Sequence, residues 1–462
     1  MQIKVLPSPY RPDPKIASLS DKIGDAVKAA NFPKAILRFR NDRWASTVGL
    51  DGLSNDEWVQ HFGRFQPLPG NLPEPLALRY HGHQFRVYNP DIGDGRGFLF
   101  AQLRDGYDRL LDLGTKGSGT TPHSRQGDGR LTLKGGVREI LATEMLEALG
   151  VNTSKTFSLI ETGEELMRGD EPSPTRSAVM VRLSHSHIRI GTFQRIAAEG
   201  DAEMMERLVA YTLTILYNEL PSENPAAQLL GLAVERIADL AASYMVAGFV
   251  HGVLNSDNIN VTGESFDYGP WRFTEFWDPR FTAAYFDQNG LYAFGRQAEA
   301  IHWDLGQLAV SLRLICEAPP LIEALERFPA LFQSAIIRRF LWRLGVESKD
   351  DEHDRALVEA AERAMVREQI PVDRFFYDHR GGRISQRNGY GEQRSAFADI
   401  LADYENQPAA EHDYWAAGEP CSMLIDEVET IWSAIAGQDD WHPLHDKITA
   451  IRRMGEAHAN RG

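Results

Sequence analysis

Cysteine is nearly absent from this chain, which has only Cys316 and Cys421 among 462 residues. Two cysteines cannot form the set of bridges that holds a small secreted domain together, so the sequence excludes a disulfide scaffold and favours a reducing compartment. No continuous apolar run approaches the roughly 18 residues of a membrane span. The N-terminus also lacks the basic stretch and apolar run of a secretory signal. We therefore expect a cytoplasmic protein with no membrane partner.

Positive charge is in deficit, with 49 Lys and Arg against 65 Asp and Glu, which gives a formal net charge of −16. Such a balance argues against a general nucleic-acid binder, because any polyanion must be held by a local group of cations against the overall field. Apolar residues make up 43% and charged residues 25%, which is ordinary for a globular protein. The length allows two or three domains, or one elaborated domain.

The character of the chain changes near residue 200, and the sequence contains no internal repeat and no low-complexity linker. Before this point, strand-like runs at 97–103, 109–113, 157–160 and 178–183 alternate with Gly-rich turns. One amphipathic helix at 137–148 interrupts them, with Glu139 in its first turn. Long helical patterns follow, with a short strand expected after Asn258 and a Gly/Arg-rich loop at 380–387. This is the outline of an α+β, two-lobed protein-kinase-like fold. The predicted divisions are an N-terminal extension (1–70), a phosphate-binding N-lobe (71–200), a helical C-lobe (201–375) and a C-terminal helical extension (376–462).

The segment His251-Gly-Val-Leu-Asn-Ser-Asp-Asn258 is similar to a kinase catalytic loop in which the aspartate has moved. Kinases place an Asp near the start of this loop as the base and an Asn five residues later as a metal ligand. Counting back five residues from Asn258 reaches Val253, which cannot accept a proton. Asp257 is the only carboxylate in the loop and is the candidate base.

Asp267-Tyr268-Gly269 follows at the distance of a kinase metal-binding loop. Asn258 and Asp267 both offer hard oxygen donors, which suit Mg²⁺ or Mn²⁺. Together, the two strings predict a divalent-metal site beside Asp257. The alternative is a loop and hairpin without chemistry.

The first half of the chain offers candidate phosphate ligands. In Gly93-Asp-Gly95-Arg96, glycine backbone N–H groups and an arginine can approach phosphate oxygens, although Asp-Gly pairs also mark ordinary hairpin turns. Lys116 lies among glycines at a strand end, and Glu139 on the helix could orient it as in kinases. The alternative for this pair is a surface lysine and a solvated glutamate.

A second Gly-Asp-Gly-Arg string spans residues 127–130 and suggests a second backbone site for the same nucleotide. Arg182 ends an apolar strand and Arg189 follows shortly after it. A planar guanidinium at such a position suits phosphate oxygens, while an ion pair with a carboxylate is the structural alternative.

With these strings in hand, the chain resembles the SelO (selenoprotein O) family of pseudokinase-fold protein adenylyltransferases. The resemblance covers roughly residues 75–305. The matching strings are Tyr80-His-Gly-His-Gln-Phe85, Gly93 to Arg96, Lys116-Gly-Ser-Gly119, Ser124 to Arg130, Val137-Arg-Glu139, Arg182 to Arg189, His251 to Asn258 and Asp267-Tyr-Gly-Pro270.

The resemblance implies transfer of AMP from ATP to a Ser, Thr or Tyr hydroxyl of a protein, with release of pyrophosphate and with ATP flipped relative to kinases. It implies that Asp257 is the base, that Asn258 and Asp267 bind the metal, and that Glu139 pairs with Lys116. The nucleotide ligands that it implies are Gly93, Gly95, Arg96, Lys116, Asp128, Gly129, Arg182, Arg189 and Asp267.

Two departures from the family pattern stand out. Arg86 follows Phe85 where relatives usually have glycine, and no cysteine follows Cys421, so redox control through a C-terminal cysteine is not expected. Three other functions remain open on the sequence. They are ordinary phosphotransfer, a catalytically inactive nucleotide-binding pseudokinase scaffold, and a zinc hydrolase that uses the histidine pairs at 81/83 or 185/187.

Overall fold

The structure is a computed structural model that describes residues 5–169, 171–384, 391–404 and 412–459. The Gly/Arg-rich loop expected at 380–387 lies partly outside the described residues, since residues 385–387 are not among them.

An antiparallel sheet dominates the first half of the chain, with strand order β1-β3-β6-β7-β10-β9-β2 and β8 paired to β10. Two further two-stranded pairs, β4–β5 and β11–β12, lie apart from it. The strands are β1 Gly24–Ala26, β2 Ile36–Arg40, β3 Leu76–Leu78, β4 Gly82–Gln84, β5 Val87–Asn89, β6 Leu99–Arg104, β7 Leu110–Lys116, β8 Leu131–Thr132, β9 Lys155–Leu166, β10 Thr175–Ser184, β11 Phe249–Val250 and β12 Arg272–Phe273.

Helices follow the sheet, apart from four that precede residue 150. Their bounds are α1 Ser20–Ile23, α2 Asp42–Ala45, α3 Asn55–Phe62, α4 Leu133–Ala148, α5 Ile190–Glu199, α6 Ala202–Tyr211, α7 Pro225–Ala247, α8 Gln297–Leu312, α9 Ala318–Glu326, α10 Phe328–Leu344, α11 Asp351–Glu368, α12 Val372–His379, α13 Glu392–Leu401, α14 Ile425–Gln438 and α15 His442–Ala459. Within the described ranges, no helix combines the length and apolarity needed to cross a bilayer.

Strand β10 is a nearly continuous apolar run because both of its faces are buried. Val179 and Val181 join the core under the N-terminal segment, whereas Ala178 and Met180 face the core that contains α4. Side chains alternate across a strand, so a strand between two cores needs apolar residues at successive positions. This is why the run at 178–183 is readable as a strand from sequence.

The helix expected at 137–148 is α4, which begins one turn earlier at Leu133. Thr132 caps it through an N–H bond from Gly135 (3.1 Å), and Gly150 follows its end with a φ of 74°. Glu139 consequently lies in the second turn and not in the first turn as expected. The short strand expected after Asn258 is also absent, since Asn260 makes only an isolated bridge with Arg189.

The described parts of the two predicted extensions, 1–70 and 376–462, contribute elements that pack on the α+β core. The first segment supplies β1 and β2, which flank the sheet at its two ends. At the other end of the chain, Arg452 of α15 donates to both carboxylate oxygens of the buried Glu144 on α4 (2.6 and 2.8 Å). The predicted domain boundaries at 70, 200 and 375 stay predictions.

Arg452→Ala is expected to lower the free energy of unfolding by about 1–2 kcal/mol, because it leaves the buried Glu144 carboxylate without its main partner while Arg452 itself is one-third exposed. Urea unfolding measures the change. Arg453→Ala is the matched control, since the neighbouring Arg453 is exposed. Equal effects of the two substitutions would contradict the bracing role of α15.

Candidate active site

A cavity of about 960 Å³ opens between the sheet and the loops that follow α7. Eleven of the twelve predicted site residues line it, although they come from distant parts of the chain. They are Gly93, Gly95, Arg96, Lys116, Asp128, Gly129, Arg182, Arg189, Asp257, Asn258 and Asp267. The twelfth, Glu139, is buried behind Lys116. The volume suits a nucleotide-sized ligand.

Hydrogen bonds of His251 hold the conformation of the loop that follows β11. The backbone N–H of His251 donates to Gln297 Oε1 (3.1 Å), and its Nε2 lies 3.0 Å from the carbonyl oxygen of Phe266. His251 therefore ties the loop that carries Asp257 to the segment that carries Asp267. This contact keeps the two aspartates in one site despite their separation in sequence.

Asp257 is a buried carboxyl group that lines the cavity. Its Oδ1 is shielded from solvent beside Gly82 and has no hydrogen-bond partner among the described residues. Burial raises the pKa of Asp257 to about 6, with the nearby Asp267 acting in the same direction and Arg189 opposing it. A carboxylate with a pKa close to neutral can accept a proton from a bound hydroxyl.

Asn258 and Asp267 offer the oxygen atoms expected for a divalent cation. The Asn258 Nδ2 group donates to the Val253 carbonyl (3.0 Å), which turns Oδ1 away from that carbonyl. Asp267 has a φ of 60°, a left-handed conformation that is uncommon outside glycine. Two protein oxygens suit Mg²⁺ or Mn²⁺, since such ions usually retain waters and substrate phosphates as their other ligands.

The two predicted phosphate-binding arginines hold Asp267 in this structure. Arg182 Nη1 lies 2.5 Å from Asp267 Oδ1, and Arg189 Nη1 lies 2.9 Å from Asp267 Oδ2. Burial alone would raise the pKa of Asp267, but the two guanidinium groups hold it well below its usual range. Each carboxylate oxygen keeps a further lone pair, so this arrangement is compatible with a metal ligand.

Aromatic rings and backbone carbonyls complete the pocket of Arg189. Its guanidinium lies 4.2 Å from the Tyr80 ring centre, and Nη1 also donates to the Asp257 carbonyl (2.8 Å). Arg189 is almost fully buried, so its charge is not screened by water and can act strongly on phosphate oxygens. The sequence offered two roles for Arg189, a phosphate ligand or an ion-pair partner of a carboxylate. In the structure Arg189 pairs with Asp267 and also lines the cavity.

Lys116 and Glu139 form the expected ion pair, with Nζ 2.7 Å from Oε2. Burial lowers the pKa of Lys116, and the charge of Glu139 opposes that shift. The Lys116 ammonium is also 3.4 Å from the Tyr268 carbonyl, so the pair connects β7, α4 and the Asp267 segment. The alternative of a solvated surface pair is wrong.

The two Gly-Asp-Gly-Arg loops pack against each other at the rim of the cavity. Thr121 Oγ1 donates to the Asp94 carbonyl (2.6 Å), and Ser124 Oγ donates to the Gly95 carbonyl (2.5 Å). The arginines of the two loops differ, because Arg96 is exposed at the cavity whereas Arg130 is paired with Glu164 (2.9 Å). The two loops that contain the repeated string therefore form one continuous part of the cavity rim.

Sequence reasoning missed six charged residues that line the cavity, which are Asp94, Arg125, Arg130, Arg138, Arg168 and Glu171. Asp94 lies 3.6 Å from Arg189, Arg168 pairs with Asp128 (2.8 Å), and Arg138 lies 4.8 Å from the Trp271 ring centre. Burial and the neighbouring Arg272 lower the pKa of Arg138 to about 10. Asp94 and Arg138 lie inside the strings noted above, which was an available signal, whereas nothing local marks Arg168.

The histidines weighed as zinc ligands are engaged elsewhere. No group of three or more His, Cys, Asp or Glu side chains forms a metal site within the part of the chain that the structure describes. His81 Nδ1 lies 2.6 Å from the Tyr88 hydroxyl, His83 Nδ1 lies 2.7 Å from Gln194 Nε2, His187 Nδ1 lies 3.2 Å from Asp112, and the buried His185 has a pKa lowered to about 3 by burial. These contacts do not favour a zinc hydrolase.

Comparison with known proteins agrees with this geometry. A model of the family described as "Protein adenylyltransferase SelO" matches residues 9–452. Protein nucleotidyltransferase YdiU of Synechococcus elongatus is 41% identical, over 98% of this chain and 96% of the relative. YdiU of Synechocystis sp. is 42% identical over 95% and 97% of the two chains, and that of Gloeobacter violaceus is 41% identical over 96% and 95%.

These matches extend well beyond the segment on which the resemblance was first noticed, since they include the C-terminal helices after residue 310. An enzyme that transfers a nucleotide to proteins requires ATP or a related nucleotide and a protein acceptor. The cavity described above has the charge and size for such a nucleotide. The chain belongs to the SelO protein adenylyltransferase family and is a nucleotidyltransferase.

Proposed function

We propose that this enzyme transfers AMP from ATP to a Ser, Thr or Tyr hydroxyl of an acceptor protein. The acceptor oxygen forms a bond to the α-phosphorus, the bond between that phosphorus and the bridging oxygen to the β-phosphate breaks, and pyrophosphate leaves. The hydroxyl proton passes to Asp257. The alternatives are ordinary phosphotransfer and an inactive pseudokinase scaffold.

The observation that best supports the proposal is that Asp257 lines the same cavity as three buried cations. These cations are Lys116, Arg182 and Arg189. Buried cations aimed at a triphosphate stabilise the negative charge that develops on the leaving group. An inactive scaffold has no need for a carboxyl group with a pKa near neutral beside this cluster.

We assign Asn258 and Asp267 to a bound Mg²⁺ or Mn²⁺, which would supply charge neutralisation at the phosphate oxygens. Arg182 and Arg189 hold Asp267 from one side and orient its carboxylate. Gly93, Gly95 and Gly129 line the cavity, where their backbone N–H groups would approach phosphate oxygens, and Arg96 adds an exposed charge. The Asp128 carboxylate is neutralised by Arg168 and would not repel the triphosphate.

We further infer a two-lobed kinase-like arrangement with ATP flipped relative to kinases. A sheet with one buried helix followed by a helical half supports the first part. Val253, five residues before Asn258, supports the second, because the kinase base position holds a side chain that cannot accept a proton. The flipped orientation rests mainly on family membership.

Parallel incubations with ATP radiolabelled at the α- or the γ-phosphate test the reaction class. We expect protein-bound label from α-labelled ATP alone, together with one pyrophosphate released per AMP incorporated. Label from γ-labelled ATP alone would mean phosphotransfer. No label from either, with nucleotide binding intact, would indicate a scaffold.

The pKa of Asp257 predicts how the transfer rate depends on pH. Because burial raises this pKa to about 6, the carboxyl is protonated below that pH and cannot accept the hydroxyl proton. The rate should therefore fall about tenfold per pH unit below about pH 6 and level off above it. Burial is the main cause of this value, and the charged neighbours that modify it are Arg189, which lowers it, and Asp267, which raises it.

Initial rates measured between about pH 5 and pH 8 at saturating ATP check this expectation. The residual rate of Asp257→Asn serves as the control, since protonation of ATP itself affects both proteins equally. If the transfer rate of Asp257→Asn shows the same decrease below about pH 6, the titrating group is not Asp257.

A further inference from the structure

A short hairpin, β4–β5, is fastened directly to the catalytic loop. The His83 N–H donates to Ser256 Oγ (2.7 Å), and the Phe85 N–H donates to Asn255 Oδ1 (3.1 Å). Gly82 approaches Asp257 so closely that a Cβ at this position would come within 2.6 Å of Oδ1. The hairpin is therefore a fixed surface beside the proposed base and not a loop that merely covers it.

The tip of the hairpin is held in an unfavourable backbone conformation. Phe85 and Arg86 have φ values of 51° and 63°, in the left-handed region that is unfavourable for residues other than glycine. Arg86 occupies a position that glycine would fill without strain, and its guanidinium pairs with Glu299 (3.0 Å) and lies 5.5 Å from the Trp303 ring centre. These contacts tie the tip to α8 and offset the strain.

An exposed aromatic surface lies at the tip of the hairpin and is named here the aromatic platform. It consists of Phe85 from the hairpin and of Tyr285 and Phe286 from a later segment. The Phe85 and Phe286 ring centres are 5.9 Å apart, and those of Tyr285 and Phe286 are 5.1 Å apart. The three side chains are 36%, 85% and 46% exposed. Val87, also on the hairpin, is 69% exposed. Contiguous exposed aromatic surface is typical of protein interaction sites.

We propose that the aromatic platform binds the acceptor protein, through an extended segment that carries an apolar side chain two to four residues from the modified hydroxyl. This inference rests on the proposed function. Gly82 packs against Asp257. Phe85, at the platform, is the third residue after Gly82 along the hairpin. An extended chain rises about 3.3 Å per residue, so an acceptor lying along the hairpin covers the same span with about three residues.

The position of the platform identifies the acceptor as its occupant. A protein hydroxyl can reach Asp257 only if its flanking residues pass over the surface around the loop, and the hairpin is that surface on the Asn255 side. The platform itself carries no charged side chain, so recognition there depends on burial of apolar area. Burial of one leucine side chain on the platform should lower the KM for the acceptor about tenfold.

The test uses short peptides with a central Ser, Thr or Tyr and a single leucine placed in turn at each flanking position, labelled from α-labelled ATP. Wild type is compared with the double variant Tyr285→Ser/Phe286→Ser and with Leu220→Ser. Leu220 is the matched control, because it is also 85% exposed but lies outside the platform.

We expect wild type and Leu220→Ser to show a KM about tenfold lower when leucine is two to four residues from the hydroxyl. The double variant should lose this preference while its KM for ATP and its rate at saturating peptide stay within about twofold of wild type. A preference that survives in the double variant, or no preference in wild type, would overturn the inference. Labelling of folded proteins but of no peptide would overturn it as well.

Two other outcomes are distinguishable from these. If wild type transfers no label from α-labelled ATP to any acceptor, the proposed function fails and the inference fails with it. If sedimentation shows a dimer that the double substitution dissociates, and wild type has no leucine preference, the platform is an interface with a second copy of this chain and not an acceptor site.

Discussion

Asp267→Asn is expected to reduce AMP transfer by at least about 10³-fold, since it removes the charge of the proposed metal ligand and the anion between two buried arginines. The asparagine amide can accept one of the present hydrogen bonds, but its NH₂ group would face a guanidinium. Arg182 and Arg189, which now lie 2.5 and 2.9 Å from the two carboxylate oxygens, would lose their counter-charge. Radiolabel transfer measures the loss.

The same substitution should change stability and metal dependence together. Removal of one partner of a buried ion pair typically costs about 3–5 kcal/mol, so the unfolding midpoint in urea should fall clearly in the absence of nucleotide. ATP can replace the lost anion, and its binding should become nearly independent of Mg²⁺ or Mn²⁺. Asp278→Asn is the control, because Asp278 is half-exposed in the same segment. ATP binding that keeps its full metal dependence would exclude Asp267 as a metal ligand.

Asp257→Asn is expected to reduce transfer by about 10²–10⁴-fold with little change in ATP affinity, which is the usual loss when a general base is removed. The substitution is nearly isosteric, and Asp257 Oδ1 has no hydrogen-bond partner among the described residues, so no network has to be rebuilt. The asparagine also relieves the cost of burying a charge. We therefore expect the variant to be at least as stable as wild type.

The two aspartates are distinguished by measuring the transfer rate and the affinity for ATP separately in each variant. Asp257→Asn should lower the rate at saturating ATP, while the dissociation constant of ATP, measured by calorimetry, stays within about twofold. Asp267→Asn should change both the rate and the metal dependence. Transfer by Asp257→Asn within about threefold of wild type would contradict the assignment of Asp257 as the base, whatever the outcome for Asp267.

Local patterns predicted the elements and the chemistry-bearing strings of this protein. The apolar runs at 157–160 and 178–183 are parts of β9 and β10, and the helical periodicity at 137–148 is α4. The errors occurred where tertiary contacts override local preference. The segment after Asn258 is not a strand, because it pairs with Arg189 at one residue only. The short strands at the sheet edges, β1 and β2, gave no periodic signal because they are three and five residues long.

For the candidate site as well, some features were predictable from local sequence and others depended on tertiary contacts. The sequence by itself determined which residue types are available for the proposed chemistry, because carboxylates, amide oxygens and cations in fixed spacing can be read without a fold. It also predicted the pairing of Lys116 with Glu139, and the structure shows this ion pair. Family membership followed from the same strings.

Only the tertiary structure decided how these groups interact. Burial raises the pKa of Asp257 to about 6, and the side chains that modify it are Arg189 just before α5, Asp267 and Gln84 on β4. The contacts of Arg182 and Arg189 with Asp267 bring together groups about 80 residues apart, which no local pattern specifies. The aromatic platform likewise joins Phe85 to a segment 200 residues later. Desolvation and long-range contacts depend on the whole fold, and for this reason sequence alone could name the proposed reacting groups but not their charge states or neighbours.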